Sequence, residues 1–270
     1  MDPIVVLMRG FVVDFFNRHD ASICRELMTA EYTLRVGDLV ISGRDHEYIP
    51  AVQQQFDQFP GLGMTVHGLL VGDDRIALHF SEHGVSGGPG GRSACWSGIA
   101  LYSSNGVQLT GCVAIEDYAA RRRQLTTGVV DRIDSPMAAP WDTMSASSDP
   151  DAEALVRSWL AQPMSVPAAG VIYDDEHLVA STPHSFEVTE TEVTDMFSAG
   201  SRVAFHMRQL GHTTGEPSES SPRPATLFSV GIVEVVNGTV SAGRVIRDRA
   251  GLRRANSVAP STGDQPVTAT

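Results

Sequence analysis

Ile4, Met8, Phe11, Val12 and Phe15 recur at helical spacing, which predicts an amphipathic helix over about residues 4–18. Asp20 is placed to cap a second helix, Ala21 to Met28. Residues 44–57 make a third, with Pro50 limiting its first half. After FPGLG the period shortens to two. MTVHGLLV, RIALHFSEHG, ACWSGIALY and VQLTGCVAIEDY read as successive strands, and Asn105-Gly106 between the last two signals a two-residue hairpin turn. Helices followed by a run of antiparallel strands predict an α+β unit, with helices on one side of a curved sheet.

The second half repeats this plan. Asp149 or Asp151 opens a helix through Trp159, and FEVTETEV, RVAFHMRQL, ATLFSVGIVEVV and TVSAGRVIRD follow as strands. RIALHF and RVAFHM lie 127 positions apart, so Arg75, Ala77 and His79 fall on Arg202, Ala204 and His206. A second Asn-Gly, Asn237-Gly238, sits before the last strand, and Asp117 and Asp248 follow the two Asn-Gly turns at 12 and 11 residues, a difference one bulge absorbs. The copies are unequal. Tyr32 to Arg75 spans 43 residues but Tyr173 to Arg202 only 29, so the second copy is short by about the length of the third helix. The predicted organisation is a first domain at 1–126, a Pro/Ser/Met-rich linker at 127–148, a shortened second domain at 149–255 and a disordered tail at 256–270.

Composition narrows the function. The 270 residues carry a net charge of −12, a poor match for nucleic acid or an anionic membrane, and no apolar run is long enough to span one. The start, MDPIVVLMRGFVVDFF, reads as the first helix and not as a signal peptide. Three cysteines at unrelated spacings suggest reduced thiols and a cytoplasmic location. All 20 basic residues are arginine, which removes lysine-based phosphate loops, Schiff-base catalysis and Ser–Lys dyads. Gly84-Val-Ser86-Gly-Gly88 matches a nucleophile-elbow pattern, but GGPGGR follows where a helix is required, so it reads as a hairpin loop.

The ordered set HDASICRELM, ISGRDHEYIPAVQQQF, FPGLGMTVHGLLVGDDRIALHFSEHG and EDYAARRRQL resembles SnoaL-like polyketide cyclases, which share the cone-shaped nuclear transport factor 2-like fold. The likeness covers residues 4–125 well and 150–255 loosely. It implies two tandem cone-shaped domains, the second shortened. Because relatives dimerise through their sheets, it also implies that the copies form an intrachain pseudo-dimer, with further oligomerisation left open. Enzymes of this fold work without metal or cofactor, holding carboxylates and histidines in an apolar cone. The implied function is cyclisation, isomerisation or dehydration of a small apolar intermediate of secondary metabolism. Epoxide opening or non-catalytic ligand binding or scaffolding are the alternatives, since this fold hosts all of them.

Asp117, at the end of the last strand of the first copy, matches the position of the acid/base aspartate of SnoaL-like cyclases. Alternatively it caps YAARRRQL or pairs with Arg121. Asp38, in VGDLVIS, is the counterpart of a carboxylate at the cone mouth, or an ordinary turn aspartate. His79 and His83 share a strand face with Ala77 and Ser81 at a separation of ~13 Å, too far apart to chelate one metal. They are candidate assisting acids or bases, or satisfied sheet histidines, and His67 has the same two readings. Trp96 and Tyr102 share a face of ACWSGIALY and, with His67 and Tyr32, are the candidate substrate-binding residues, or simply core. With a two-residue turn at 105–106, position 96 pairs with 115, which sets Trp96 near Asp117.

Overall fold

The computed structural model describes residues 2–88, 90–162, 170–178, 186–213 and 222–252. The expected tail and most of the GEPSESSPRP loop lie outside the described residues.

Asp2 caps helix α1 (Pro3–Arg9), accepting from Ile4 N, and Pro3 takes the helical start, where its missing N–H is not needed. The helix continues as a π-helical turn, Gly10–Phe16. Asp20 caps a 3₁₀ turn, Ala21–Ile23, that leads into α2 (Cys24–Leu27). The third helical segment starts as a π-helical turn, Arg44–Tyr48, and runs into α3 (Ile49–Gln58). Pro50 sits in the first turn of α3 and does not shorten it.

These helices cover one face of a six-stranded sheet made of β1 (Met28–Val36), β2 (Leu39–Ser42), β3 (Gly63–Val71), β4 (Arg75–Val85), β5 (Ser93–Ser104) and β6 (Leu109–Glu116), in the order β2-β1-β6-β5-β4-β3. Only β1 and β6 are parallel neighbours. After β6 comes α4 (Tyr118–Thr127). The second unit has α5 (Pro150–Leu160) and a separate five-stranded sheet: β7 (Val171–Tyr173), β8 (Phe186–Ala199), β9 (Arg202–Thr213), β10 (Arg223–Val236) and β11 (Thr239–Arg247), in the order β7-β11-β10-β9-β8. Strand for strand this is β1-β6-β5-β4-β3 again, including the parallel pair, β7 with β11. The two α+β units therefore share one topology. Among the described residues β2 and α3 have no counterpart in the second.

The Asn-Gly turns differ. Asn237 (φ +50°) and Gly238 (φ +74°) make the expected two-residue turn, with Val236 paired to Thr239. In the first unit the turn is four residues long. Asn105 N donates to Gln108 O, and the Asn105 side chain accepts from the amides of Val107 and Gln108. With a bulge at Ser103/Ser104 added, Gly98 faces Glu116, and the expected pairing of 96 with 115 does not occur.

Each sheet has a helix-covered face and a face turned to the other unit. Strand alternation sends Ile76, Leu78 and Phe80 of β4 into the first cone, with Phe11, Phe15, Tyr48, Trp96 and Tyr102. Ala77, Ile99, Leu101 and Ile115 point the other way and pack on Phe197, Ala204, Phe228, Val230, Ile232 and Ile246 of the second sheet. The polar contacts across this layer are reciprocal. Arg75 of β4 pairs with Asp195 of β8 at 2.5 Å, and Arg202 of β9 donates to Leu69 O of β3 at 3.0 Å. The segment between the units is strapped to both. Met137 N and Ala146 N donate to Val66 O and Val71 O on the β3 edge, and Gly200 N donates to Ser147 O.

Candidate functional site

The face of β4 that carries Ile76, Leu78 and Phe80 ends in Glu82, only 3% exposed. β6 likewise brings Cys112 and Ala114 into the cone and ends in Glu116. β5 runs between them, with Glu82 opposite Trp96 and Gly98 opposite Glu116. Gly98 is needed here. A Cβ on it would lie 2.5 Å from Phe80 Cζ and 3.0 Å from Glu116 Cγ, so the missing side chain is what lets the Glu116 chain lie across β5. Trp96 Nε1 donates to Glu116 Oε2 at 2.7 Å, and Gln55 Nε2, from α3, donates to Glu82 Oε2 at 2.6 Å.

Burial holds Glu82 well above the usual carboxylate range, and the Glu116 charge pushes it further the same way. Glu116 is also raised by burial, which outweighs the hydrogen bonds from Trp96 and Tyr118 and the Arg121 charge. Arg121 comes from the first turns of α4, and its guanidinium lies over Tyr118, Trp96 and Phe59 at 4.4, 5.1 and 5.7 Å from the ring centroids. Two carboxyls, one cation and an aromatic wall thus stand at one end of the first cone. Here a proton can be held on one carboxyl and accepted by the other.

The sequence candidates divide between the two faces. Trp96 lies in the cone beside Glu116. Tyr32 and Tyr102 are in the cone too, buried in its aromatic core, where Tyr32 packs 5.0 Å from Tyr48 and Tyr102 packs 5.3 Å from Phe11. His79, His83 and His67 are on the opposite face, toward the second unit, because odd-numbered residues of β4 point away from the cone. His79 Nε2 meets Ser97 Oγ at 3.1 Å, and His83 Nε2 meets Thr65 Oγ1 at 3.0 Å. The Ser135 carbonyl, 3.0 Å away, can only accept, so His67 Nδ1 carries the proton and Nε2 takes the Ser81 hydroxyl at 2.9 Å. Burial and the nearby Arg244 charge hold His79 down at about 3, so it is neutral in the folded protein. Asp38 is exposed in the β1–β2 turn.

Asp117, 1% exposed, lies one residue beyond the cone face, and its carboxylate is committed elsewhere. It caps α4 by accepting from Ala120 N at 3.0 Å, and both oxygens take Arg249 Nη2 at 2.6 Å. The arginine partner expected within α4 is replaced by one from the second unit. Arg249 also meets Asp175 at 2.7 Å and Asp174 at 3.4 Å, and Arg123 joins Asp131 to Asp175 at 3.2 Å. This buried ion network fixes the end of one unit to the other. A water-sized slot of about 30 Å³ beside it is lined by His67, Ser81, Asp117, Asp134 and Arg244 among others.

The acid pair has no copy in the second unit. The positions equivalent to Glu82, Trp96 and Glu116 carry Gln209, Leu227 and Arg247, as the pairings Gln209–Leu227 and Ser229–Arg247 show. Glu82 and Glu116 were not singled out from the sequence, yet a signal was there: each is the one carboxylate on an otherwise apolar strand face. Among the described residues no group of three or more His, Cys, Asp or Glu side chains is arranged to hold a metal ion. The three cysteines are free and buried, and no described helix is long and apolar enough to cross a membrane.

No protein-family model matches the chain, and no match is found among curated proteins. Among solved structures it is similar to a protein described as a SnoaL-like polyketide cyclase from Jannaschia sp. CCS1, at 17% identity and a TM-score of 0.43, over 46% of this chain and 92% of that one. A protein described in the same way from Shewanella denitrificans OS-217 gives 17% and 0.42 over 46% and 98%. TsrD from Streptomyces laurentii gives 19% and 0.41 over 46% and 94%. Each spans nearly its own full length and a little under half of this chain, the size of one unit. The SnoaL-like resemblance read from the residues has its counterpart among these solved structures.

Proposed function

We propose that the chain is a cofactor-independent acid/base enzyme of the cyclase, isomerase or dehydratase kind, acting in the first unit on a small apolar intermediate of secondary metabolism. Glu82 and Glu116 take the roles that the SnoaL-like resemblance gave to Asp117, and His79, His83 and Asp38, which lie outside the cone, take no part. The supporting observation is a pair of carboxyls on the apolar, helix-covered face of the sheet, Glu82 on β4 and Glu116 on β6, with β5 and Trp96 between them. Two like charges in one buried site do not ionise together, so one carboxyl stays protonated while the other is free to accept. A substrate seated against both loses a proton to the carboxylate and receives one from the carboxylic acid, and the pair is left with its roles exchanged. The same pair supplies the two acidic groups that epoxide opening requires, which keeps that reaction as the second reading.

The two units are read as an intrachain pseudo-dimer, supported by the reciprocal reach of Arg75 and Arg202. On this reading the second unit, whose matching positions are Gln209 and Arg247, covers the sheet and does no chemistry. A cytoplasmic location rests on the three unpaired cysteines. The test is to identify by native mass spectrometry a small molecule that co-purifies with the protein, then to follow its conversion by the wild type and by Glu116→Gln and Glu82→Gln. Losses of about 10²–10⁴ in turnover support the reading. Full activity in both variants removes the glutamates from the chemistry, and absence of conversion by the wild type overturns the reading in favour of ligand binding alone.

A further inference from the structure

We infer that the groove beside Arg121 holds the anionic end of the substrate, and that the ligand is an organic carboxylate carried on an apolar ring or chain. This rests on the acid/base reading only for where the rest of the ligand goes. The contact with the anion stands on separate observations.

The groove, about 400 Å³, is lined by Asp57, Gln58, Phe59, Ser86, Arg121 and Leu125. Its walls, Phe59 and Leu125, are apolar, and Arg121 is its one cation. Three ring faces steady the guanidinium, and among the described residues no side chain or carbonyl is hydrogen-bonded to the N–H groups along its edge. Among the described residues no carboxylate lies at ion-pair distance from Arg121. Arg123, two residues along the same helix, is by contrast paired with Asp131 and Asp175, and the buried Arg249 meets three aspartates. A planar, fixed, unpaired guanidinium at the edge of an apolar groove suits a carboxylate, which accepts two parallel N–H bonds. Asp57, the acidic lining residue, accepts from Gln53 Nε2 at 3.0 Å. Its charge repels an anion and so favours the Arg121 end of the groove. Arg121 lies over Trp96, whose Nε1 donates to Glu116 at 2.7 Å, which places the anchored group next to the acid pair.

The experiment is isothermal titration calorimetry of the full chain with 2-naphthoate and with its uncharged isostere 2-naphthamide. The wild type is expected to bind the carboxylate on the order of 10- to 100-fold more tightly than the amide, the worth of a charge-assisted pair. Arg121→Met should abolish that preference while leaving the weak binding of the amide unchanged. Should Arg121→Met fail to fold, Arg121→Lys decides, because an ammonium cannot make the two parallel bonds and the preference should fall. Equal binding of the two probes by the wild type overturns the inference, and so does a preference that survives in the Arg121 variant that folds. The Glu82→Gln/Glu116→Gln double variant should bind 2-naphthoate at least as tightly as the wild type. Turnover lost in the glutamate variants, with no carboxylate preference in the wild type, would remove this inference and leave the acid/base reading standing.

Discussion

Replacing Asp117 by Asn separates a structural aspartate from a catalytic one. The carboxylate accepts one amide at the start of α4 and one arginine from the second unit, and is only 1% exposed. Asn keeps an oxygen for the Ala120 amide, so the ~1 kcal/mol contribution of the cap is retained. What it removes is the charge facing Arg249. Breaking a buried pair costs about 3–5 kcal/mol when the remaining ion is stranded. Arg249 is not stranded, because Asp175 at 2.7 Å and Asp174 at 3.4 Å remain. The expected loss is therefore smaller, about 1–3 kcal/mol. Asp117→Ala also removes the cap and should be about 1 kcal/mol worse than Asn. Urea denaturation reads both as shifts of the midpoint at constant m-value. Turnover per folded molecule should stay at the wild-type level in Asp117→Asn. An unmoved midpoint with turnover down by about 10²–10⁴ would refute the reasoning and return the acid/base role to Asp117.

Glu82, raised by burial and by Glu116, loses stability for the fold as pH climbs above its ordinary value of 4.5, because the unfolded chain ionises it more readily. Glu82→Gln should therefore be more stable than the wild type at pH 8 and lose that advantage near pH 4, measured by urea denaturation at the two pH values. His206, stacked on Phe228 in the layer between the sheets and held down at about 4 by burial, works in the opposite direction. Its unfolded form protonates below 6.5, so the folded protein should give up about 2 kcal/mol by pH 5 on its account, and His206→Gln should flatten that part of the stability–pH curve. Gly98→Ala drives a Cβ to within 2.5 Å of Phe80 Cζ, and should cost about 1–3 kcal/mol, with part recovered by Phe80→Leu.

Much of this arrangement was legible in the sequence because it depends on local pattern. RIALHF and RVAFHM do occupy equivalent strands, β4 and β9, and the Asn237-Gly238 turn has the expected length. β1 was missed because MTAEYTLRV has no clean alternation, and it is held by its place between β2 and β6. The Asn105 turn misled because its side chain caps two amides and widens the loop to four residues, a local competition that the Asn-Gly pair does not announce. For the site, alternation correctly put His79 and His83 on one face but could not say which face the helices cover. The histidines drew attention to the face that packs against the second unit, while Glu82, on the apolar face, was passed over. The partner of Asp117 was out of reach of local pattern, since Arg249 lies 132 residues away and meets it only once the two units are packed together.

The central claim is that Glu82 and Glu116 share one buried site and feel each other's charge. Carbon-13 NMR titration of the glutamate carboxyls in the full chain tests it directly, with Glu116→Gln as the comparison. Two glutamate carboxyls displaced above the usual range are expected in the wild type. In Glu116→Gln the Glu82 midpoint should move down, because the repelling charge is gone, while staying above 4.5, because the burial is not. Glutamates that all titrate in the ordinary range, or a Glu82 midpoint unmoved by the loss of Glu116, would contradict it.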